Sequence, residues 1–199
     1  MKLEDALLCL VVESNAFPPA GSEADFCRRA IAGGVDLIQW NVNPVNGPDS
    51  GGVLGSIRDV CREDDALLVL DGDPAVALEA DADGVHVSGG DMPIGYARSV
   101  LGQGRLVGLS SHSGDEAAMA LDLEPDYLLH HGGAGSAAVF AGLQAAQTVL
   151  YAAGVDTFEQ AEILVNAGVY RLAAAWRDEG GKNVETEMAA LSKLLGRCV

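Results

Sequence analysis

The stretch ADGVHVSGGDMP, residues 82–93, decides how this chain is organised. Its first half is a short apolar strand around Val85 and Val87. Its second half ends that strand on Gly89-Gly90, presents a lone carboxylate at Asp91 and begins again at Pro93. Glycines let a backbone turn sharply or let a ligand come close, and proline suits the first turn of a helix. The order predicts a strand, a loop carrying Asp91, and then a helix. Glycines and no charged partner surround Asp91, which is the setting of a functional carboxylate on a loop.

Outward from this stretch the same unit recurs from end to end. Strands are predicted at 7–12 (LLCLVV), 36–42 (DLIQWNV), 66–72 (ALLVLDG), 83–88 (DGVHVS), 105–112 (RLVGLSSH), 126–131 (DYLLHH), 148–154 (TVLYAAG) and 170–176 (YRLAAAW). Amphipathic or alanine-rich stretches lie between them, such as EADFCRRAIAGG and GVLGSIRDVCRED, and VETEMAALSKLLGRC follows the last strand. Gly33, Gly102 and Gly168 read as helix stops. The strands are near-continuous apolar runs, as expected when both faces are covered. Eight strand-then-helix units without a break in composition predict a single-domain (β/α)8 TIM barrel over 1–199. A doubly wound open sheet is the competing architecture. It would carry a glycine-rich phosphate turn after its first strand, where this chain has ESNAFPPAGS.

The composition narrows the function. The 199 residues are 49% apolar, enough for one sizeable core. The net charge of −17, from 29 acidic and 12 basic residues, argues against nucleic acid or an anionic membrane as a partner, since both are bound through clustered Lys and Arg. An anionic ligand would have to be held by backbone N–H groups, a few basic side chains or a metal ion. Cys9, Cys27, Cys61 and Cys198 lie far apart and read as reduced thiols. The apolar run Ala6 to Val12 is too short to span a membrane and follows an acidic segment, unlike a signal peptide. A cytoplasmic protein is expected. The sequence carries no direct signal for a homo-oligomer, which stays open.

In such a barrel the chemistry sits at the carboxyl ends of the strands. That rule collects Asn41, Asn43, Asp71, Asp73, Asp91, Ser110 to His112, His130, His131, Gly154 and Ala174 to Arg177. Asp73 precedes Pro74 and reads as a helix cap, which leaves Asp71 as the site residue. His86 lies inside a strand and reads as a hydrogen-bonded core residue. His130 and His131 point to opposite sides, so at most one faces the mouth, where an imidazole can serve as general acid or base. Trp40 and Trp176 read as packing between barrel and helices, with Trp176 also placed to cover a ligand.

The segments ADGVH (82–86), GGDMP (89–93), GLSSHS (108–113) and PDYLL (125–129) resemble the thiamine phosphate synthase and TenI group of barrels. The resemblance covers nearly the whole chain. It implies Mg2+-assisted joining of a pyrimidine diphosphate to a thiazole phosphate, or, for TenI, isomerisation of a thiazole carboxylate phosphate, with no organic cofactor. The group carries Gln-x-Arg-x-Lys on its second strand, and strand alternation puts Gln39, Asn41 and Asn43 there. Gln39 matches, and both cations are replaced by asparagines, which hydrogen-bond a ligand without neutralising it. The resemblance implies Asp91 and, one position shifted, Asp71 as Mg2+ ligands, and Ser110 as a diphosphate contact. His112 falls on the histidine of the same motif, and His131 lies one position before the catalytic histidine of TenI. Gly154, Ala174 and Ala175 fall in the backbone phosphate cup. The expectation is a divergent member that binds a thiazole- or thiamine-type phosphate without efficient synthase activity. An authentic synthase and a non-catalytic regulatory barrel remain as alternatives.

Overall fold

The computed structural model describes residues 1–13, 21–42, 52–87, 93–143, 147–176 and 183–196. The expected barrel is present: eight parallel strands close in sequence order, β1 on β2 round to β8 on β1. They are β1 (Leu8–Val12), β2 (Leu37–Asn41), β3 (Leu67–Asp71), β4 (Gly84–Val87), β5 (Leu106–Ser111), β6 (Tyr127–His130), β7 (Val149–Val155) and β8 (Leu172–Trp176). The helices are α1 (Glu23–Ala32), α2 (Val53–Glu63), α3 (Pro74–Glu79), α4 (Ile94–Leu101), α5 (Gly114–Leu121), α6 (Ser136–Gly142), α7 (Phe158–Asn166) and α8 (Val184–Leu194).

Strand alternation divides the core in two. One set of residues, with Leu10, Ile38, Leu68, Val85, Val107 and Leu128, packs outward against the helices. The other, with Cys9, Leu37, Val69, Tyr127, Leu129 and Tyr151, fills the barrel. In α2 the buried Leu54, Ile57, Val60 and Cys61 recur every three or four residues, the spacing of one helix face. The described thiols Cys9, Cys27 and Cys61 are buried and unpaired in disulfides. Burial pushes Cys61 up to about 12 and raises the other two further, so all three stay protonated and inert.

Carboxylates at the starts of alternate strands tie the amino end of the barrel together. Asp36, before β2, accepts the N–H groups of Leu7 at 2.8 Å and Leu8 at 2.9 Å. Asp83, before β4, accepts from Leu68 at 2.8 Å, and Asp126, before β6, from Val107 at 2.7 Å. Two of these aspartates belong to ADGVH and PDYLL, so part of the signature is structural. Two glycines of the signature answer to space. A Cβ on Gly84 would overlap the Leu106 carbonyl, and one on Gly108 would enter the Tyr127 ring.

Asp73 caps α3, its Oδ1 accepting from Ala75 N–H at 2.8 Å. Pro93 takes the cap position of α4 with extended backbone, φ −64° and ψ 135°. It thus stands one residue before the first turn in which the sequence placed it. The cap needs no intrahelical donor there, so the missing N–H costs nothing. No helix among the described residues is long and apolar enough to cross a membrane.

Candidate functional site

The carboxyl ends of β2 and β3 bring Gln39, Asn41 and Asp71 together. Gln39 is buried inside the barrel, and its Nε2 donates to Asp71 Oδ2 at 3.1 Å. Burial raises the Asp71 pKa, while hydrogen bonds from Gln39 and Asn41 pull it down and Glu13, after β1, raises it again. Gln39 Oε1 is buried with no hydrogen-bond partner among the described residues. Asn43 and Asp91 lie outside the described residues.

The carboxyl ends of β4, β5 and β6 gather all four histidines of the chain. His86 is buried, with Nδ1 3.2 Å from Tyr127 Oη and Nε2 2.9 Å from Ser110 Oγ. Burial, with a smaller contribution from His131, lowers its pKa to about 3 and keeps it neutral. Ser110 Oγ also lies 3.4 Å from His131 Nε2. The His131 ring is stacked on His112, centroids 4.9 Å apart and planes 14° apart. Desolvation lowers the His131 pKa, His112 and His130 lower it further, and Glu13 opposes them. Glu116 holds His112 from the first turn of α5, its Oε2 accepting the backbone N–H at 2.8 Å.

His130 turns away from this group. Its Nδ1 meets Ser111 Oγ at 2.9 Å, and its ring packs on Phe140 of α6. Of the two adjacent histidines, His131 therefore faces the mouth. Strand reading did not single out Tyr127 or Glu13. The signal for Tyr127 was available, because alternation places Tyr127, Leu129 and His131 in one inward row.

The ends of β7 and β8 form a third corner. β7 carries an irregularity between Ala153 and Val155, where Gly154 takes φ +73°. A Cβ on Gly154 would lie 4.0 Å from His131 Nδ1, so this residue looks toward the histidines. Ala174 and Ala175 line a cavity of about 440 Å3 with Asp156, Thr157, Trp176 and Glu187. The nearest helix start is already occupied by its own side chains. Gln160 Oε1 accepts the N–H groups of Asp156 at 2.8 Å and Thr157 at 3.2 Å, and Thr157 Oγ1 accepts from Gln160 N–H. Trp176 packs edge-on against Phe26 of α1 while lining this cavity.

Mg2+ asks for several oxygen ligands in octahedral array. At this mouth corner the described residues supply Asp71, already engaged with two amides, and the exposed Glu13 after β1. No group of three His, Cys, Asp or Glu among them is arranged to hold a metal. This donor set does not fit the ion by itself, and no step is routed through it. Among the described residues, no lysine or arginine stands in a segment leaving the carboxyl end of a strand.

The family described as thiamine monophosphate synthase matches residues 8–136, from β1 to the start of α6. This chain belongs to that family. A thiamine-phosphate synthase from a Synechococcus species is 35% identical over 127 residues, covering 64% of this chain and 35% of the relative. One from Chlorobium luteolum is 31% identical over 121 residues, covering 61% and 55%. The chain thus spans between 35% and 55% of the length of these curated relatives. Among solved structures, thiamine phosphate pyrophosphorylase from Pyrococcus furiosus superimposes with a TM-score of 0.81, at 25% identity over 96% of both chains. The native KDPGal structure, at 19% identity and a TM-score of 0.69, shares the fold. The family match takes in the histidine cluster and Asp71, and stops before the corner formed by β7 and β8.

Proposed function

We propose that this member of the thiamine monophosphate synthase family binds a thiazole- or thiamine-type phosphate at the carboxyl-end mouth of the barrel, and does not make thiamine phosphate efficiently. The observation that carries this reading is the charge at the mouth. Asn41 stands where the family resemblance asks for an arginine, and the described strand ends offer histidines, amides and carboxylates without a lysine or arginine. A departing diphosphate needs preorganised positive charge, and removing one such stabiliser costs about a hundredfold or more in rate. A monophosphate asks for less. Backbone N–H groups near Gly154, Ala174 and Ala175 would hold the phosphate, and Gln39, Asn41 and Ser110 would hydrogen-bond the remainder of the ligand. His131, stacked on His112, is the acid–base group, which suits a TenI-type rearrangement.

A second reading, the ordinary synthase, draws support from relatives of that name at 31–35% identity, and from Gln39 and Ser110, which the sequence resemblance puts at family positions. The two separate in one assay. Purified protein is given the pyrimidine diphosphate, thiazole phosphate and Mg2+, beside the Pyrococcus furiosus protein as reference. Thiamine phosphate formation at least a hundredfold slower than the reference, together with saturable binding of thiazole phosphate by calorimetry, is the expected result. Robust turnover abolished by Asp91→Ala would restore the ordinary synthase.

A further inference from the structure

We infer that Tyr127, His86 and Ser110 form a positioning chain that fixes which nitrogen of His131 carries the proton, leaving Nδ1–H aimed at the mouth beside Gly154. The chain runs across three neighbouring strands. Tyr127 Oη lies 3.2 Å from His86 Nδ1, His86 Nε2 lies 2.9 Å from Ser110 Oγ, and Ser110 Oγ lies 3.4 Å from His131 Nε2.

Its polarity follows from the innermost member. Tyr127 is fully buried, and His86 Nδ1 is the hydrogen-bond partner of its hydroxyl among the described residues. A buried O–H left without an acceptor is costly, so Tyr127 donates to Nδ1. A neutral imidazole has one N–H, and His86 must therefore carry it on Nε2. That N–H donates to Ser110 Oγ, which frees the serine hydrogen for His131 Nε2. The Nε2 atom of His131 is then an acceptor, and its ring proton resides on Nδ1. The depressed pKa of His86, about 3, keeps this polarity through the neutral range. His112, stacked flat on the ring, holds its plane.

The chemical consequence is a specificity. His131 meets a ligand as a donor, so the atom that binds above Gly154 is an acceptor: a carboxylate, carbonyl or phosphate oxygen. This inference rests on the reading of His131 as the acid–base group of the mouth. Tyr127, His86 and Ser110 act through His131 and are positioning residues.

The test reads the tautomer directly. With only four histidines in the chain, the full-length protein labelled with 15N-histidine gives a resolvable long-range 1H–15N spectrum near pH 7.5. His131→Gln identifies the His131 signals. The expected spectrum shows His131 protonated on Nδ1 and His86 on Nε2. Ser110→Ala should shift His131 toward the Nε2-protonated form, and Ser110→Thr, which keeps the hydroxyl, should restore the original pattern. Wild-type His131 protonated on Nε2 overturns the inference, whatever the variants do, and so does a His131 pattern unmoved in Ser110→Ala. Failure of the functional reading looks different. If His131→Gln retains full turnover and thiazole phosphate binding while the wild-type spectrum is as expected, the acid–base role falls and the positioning chain stands.

Discussion

The two ends of this barrel use polar residues for opposite purposes. At the amino end, Asp36, Asp83 and Asp126 spend their carboxylates on backbone N–H groups of the preceding strand. The arginines there are also engaged: Arg62 and Arg105 meet Asp81 at 2.9 and 2.7 Å, Arg98 meets Asp126 at 2.7 Å, and Arg171 donates to the Glu4 carbonyl at 2.7 Å. At the mouth, the described polar groups are histidines, amides and carboxylates that bind chiefly one another, and Gln39 keeps an open acceptor. The first end stabilises the fold and the second is available to a ligand, the usual division of labour in such barrels. What this chain adds is a segregation of charge, because these four arginines serve the structural end and the described segments leaving the carboxyl ends of the strands hold none.

The sharpest break of this comparison comes from the structural end. Asp36→Ala leaves the Leu7 and Leu8 N–H groups without their acceptor, and each buried unpaired donor costs about 1–3 kcal/mol, so a loss of roughly 4 kcal/mol is expected. Urea unfolding followed by circular dichroism reads it. A loss below 1 kcal/mol would show that the carboxylate is not what ties β1 to β2.

The next effect belongs to the mouth and appears on acidification. His86 titrates near its ordinary value when unfolded and at about 3 when folded, so the unfolded chain binds the extra proton. Stability is complete above about pH 6.5 and falls as the pH drops toward 3. At about 1.4 kcal/mol per unit, this amounts to roughly 2–3 kcal/mol between pH 7 and pH 4.5. His86→Gln should flatten that part of the stability profile, and an unchanged slope would remove His86 as its cause.

The smallest effect returns to the amino end. Hydrogen bonds from Arg105 and Arg62 hold Asp81 down to about 2, at a half-exposed surface position. Its contribution is present above about pH 4, is lost as the pH falls toward 2, and is screened by salt. Asp81→Asn should lower the urea midpoint slightly at pH 6 in low salt and leave it unmoved in high salt. A salt-independent loss would mean that the pair acts by packing.

The strands were legible because each is a short apolar run, and the observed ends fall within two residues of those read from the sequence. ADGVH is informative for a reason the letters hide: Asp83 holds Leu68 N–H, and Gly84 lets β4 pass the Leu106 carbonyl. Asp71, Ser110, His112 and His131 were legible from the rule that chemistry gathers at strand ends. The chain from Tyr127 to His131 was not, since it depends on strand register and on rotamers that a linear pattern does not contain. The corner of β7 and β8 was half legible. The irregularity at Gly154 turns that residue toward His131, while the Ala174 side chain joins the helix-facing layer.

The spacing of the strand-start aspartates has a mechanical consequence. They rivet β1 to β2, β3 to β4 and β5 to β6. β8 begins instead after Arg171, which reaches forward to the carbonyls of Glu4 and Ala6. The wall is thus three fastened pairs and one unfastened pair, and the unfastened pair holds both the irregular strand and the cavity of about 440 Å3. Like the seams between the fastened pairs, the β7–β8 seam has no strand-start carboxylate across it, so the register slip at Gly154 falls where no such bond holds two strands in step.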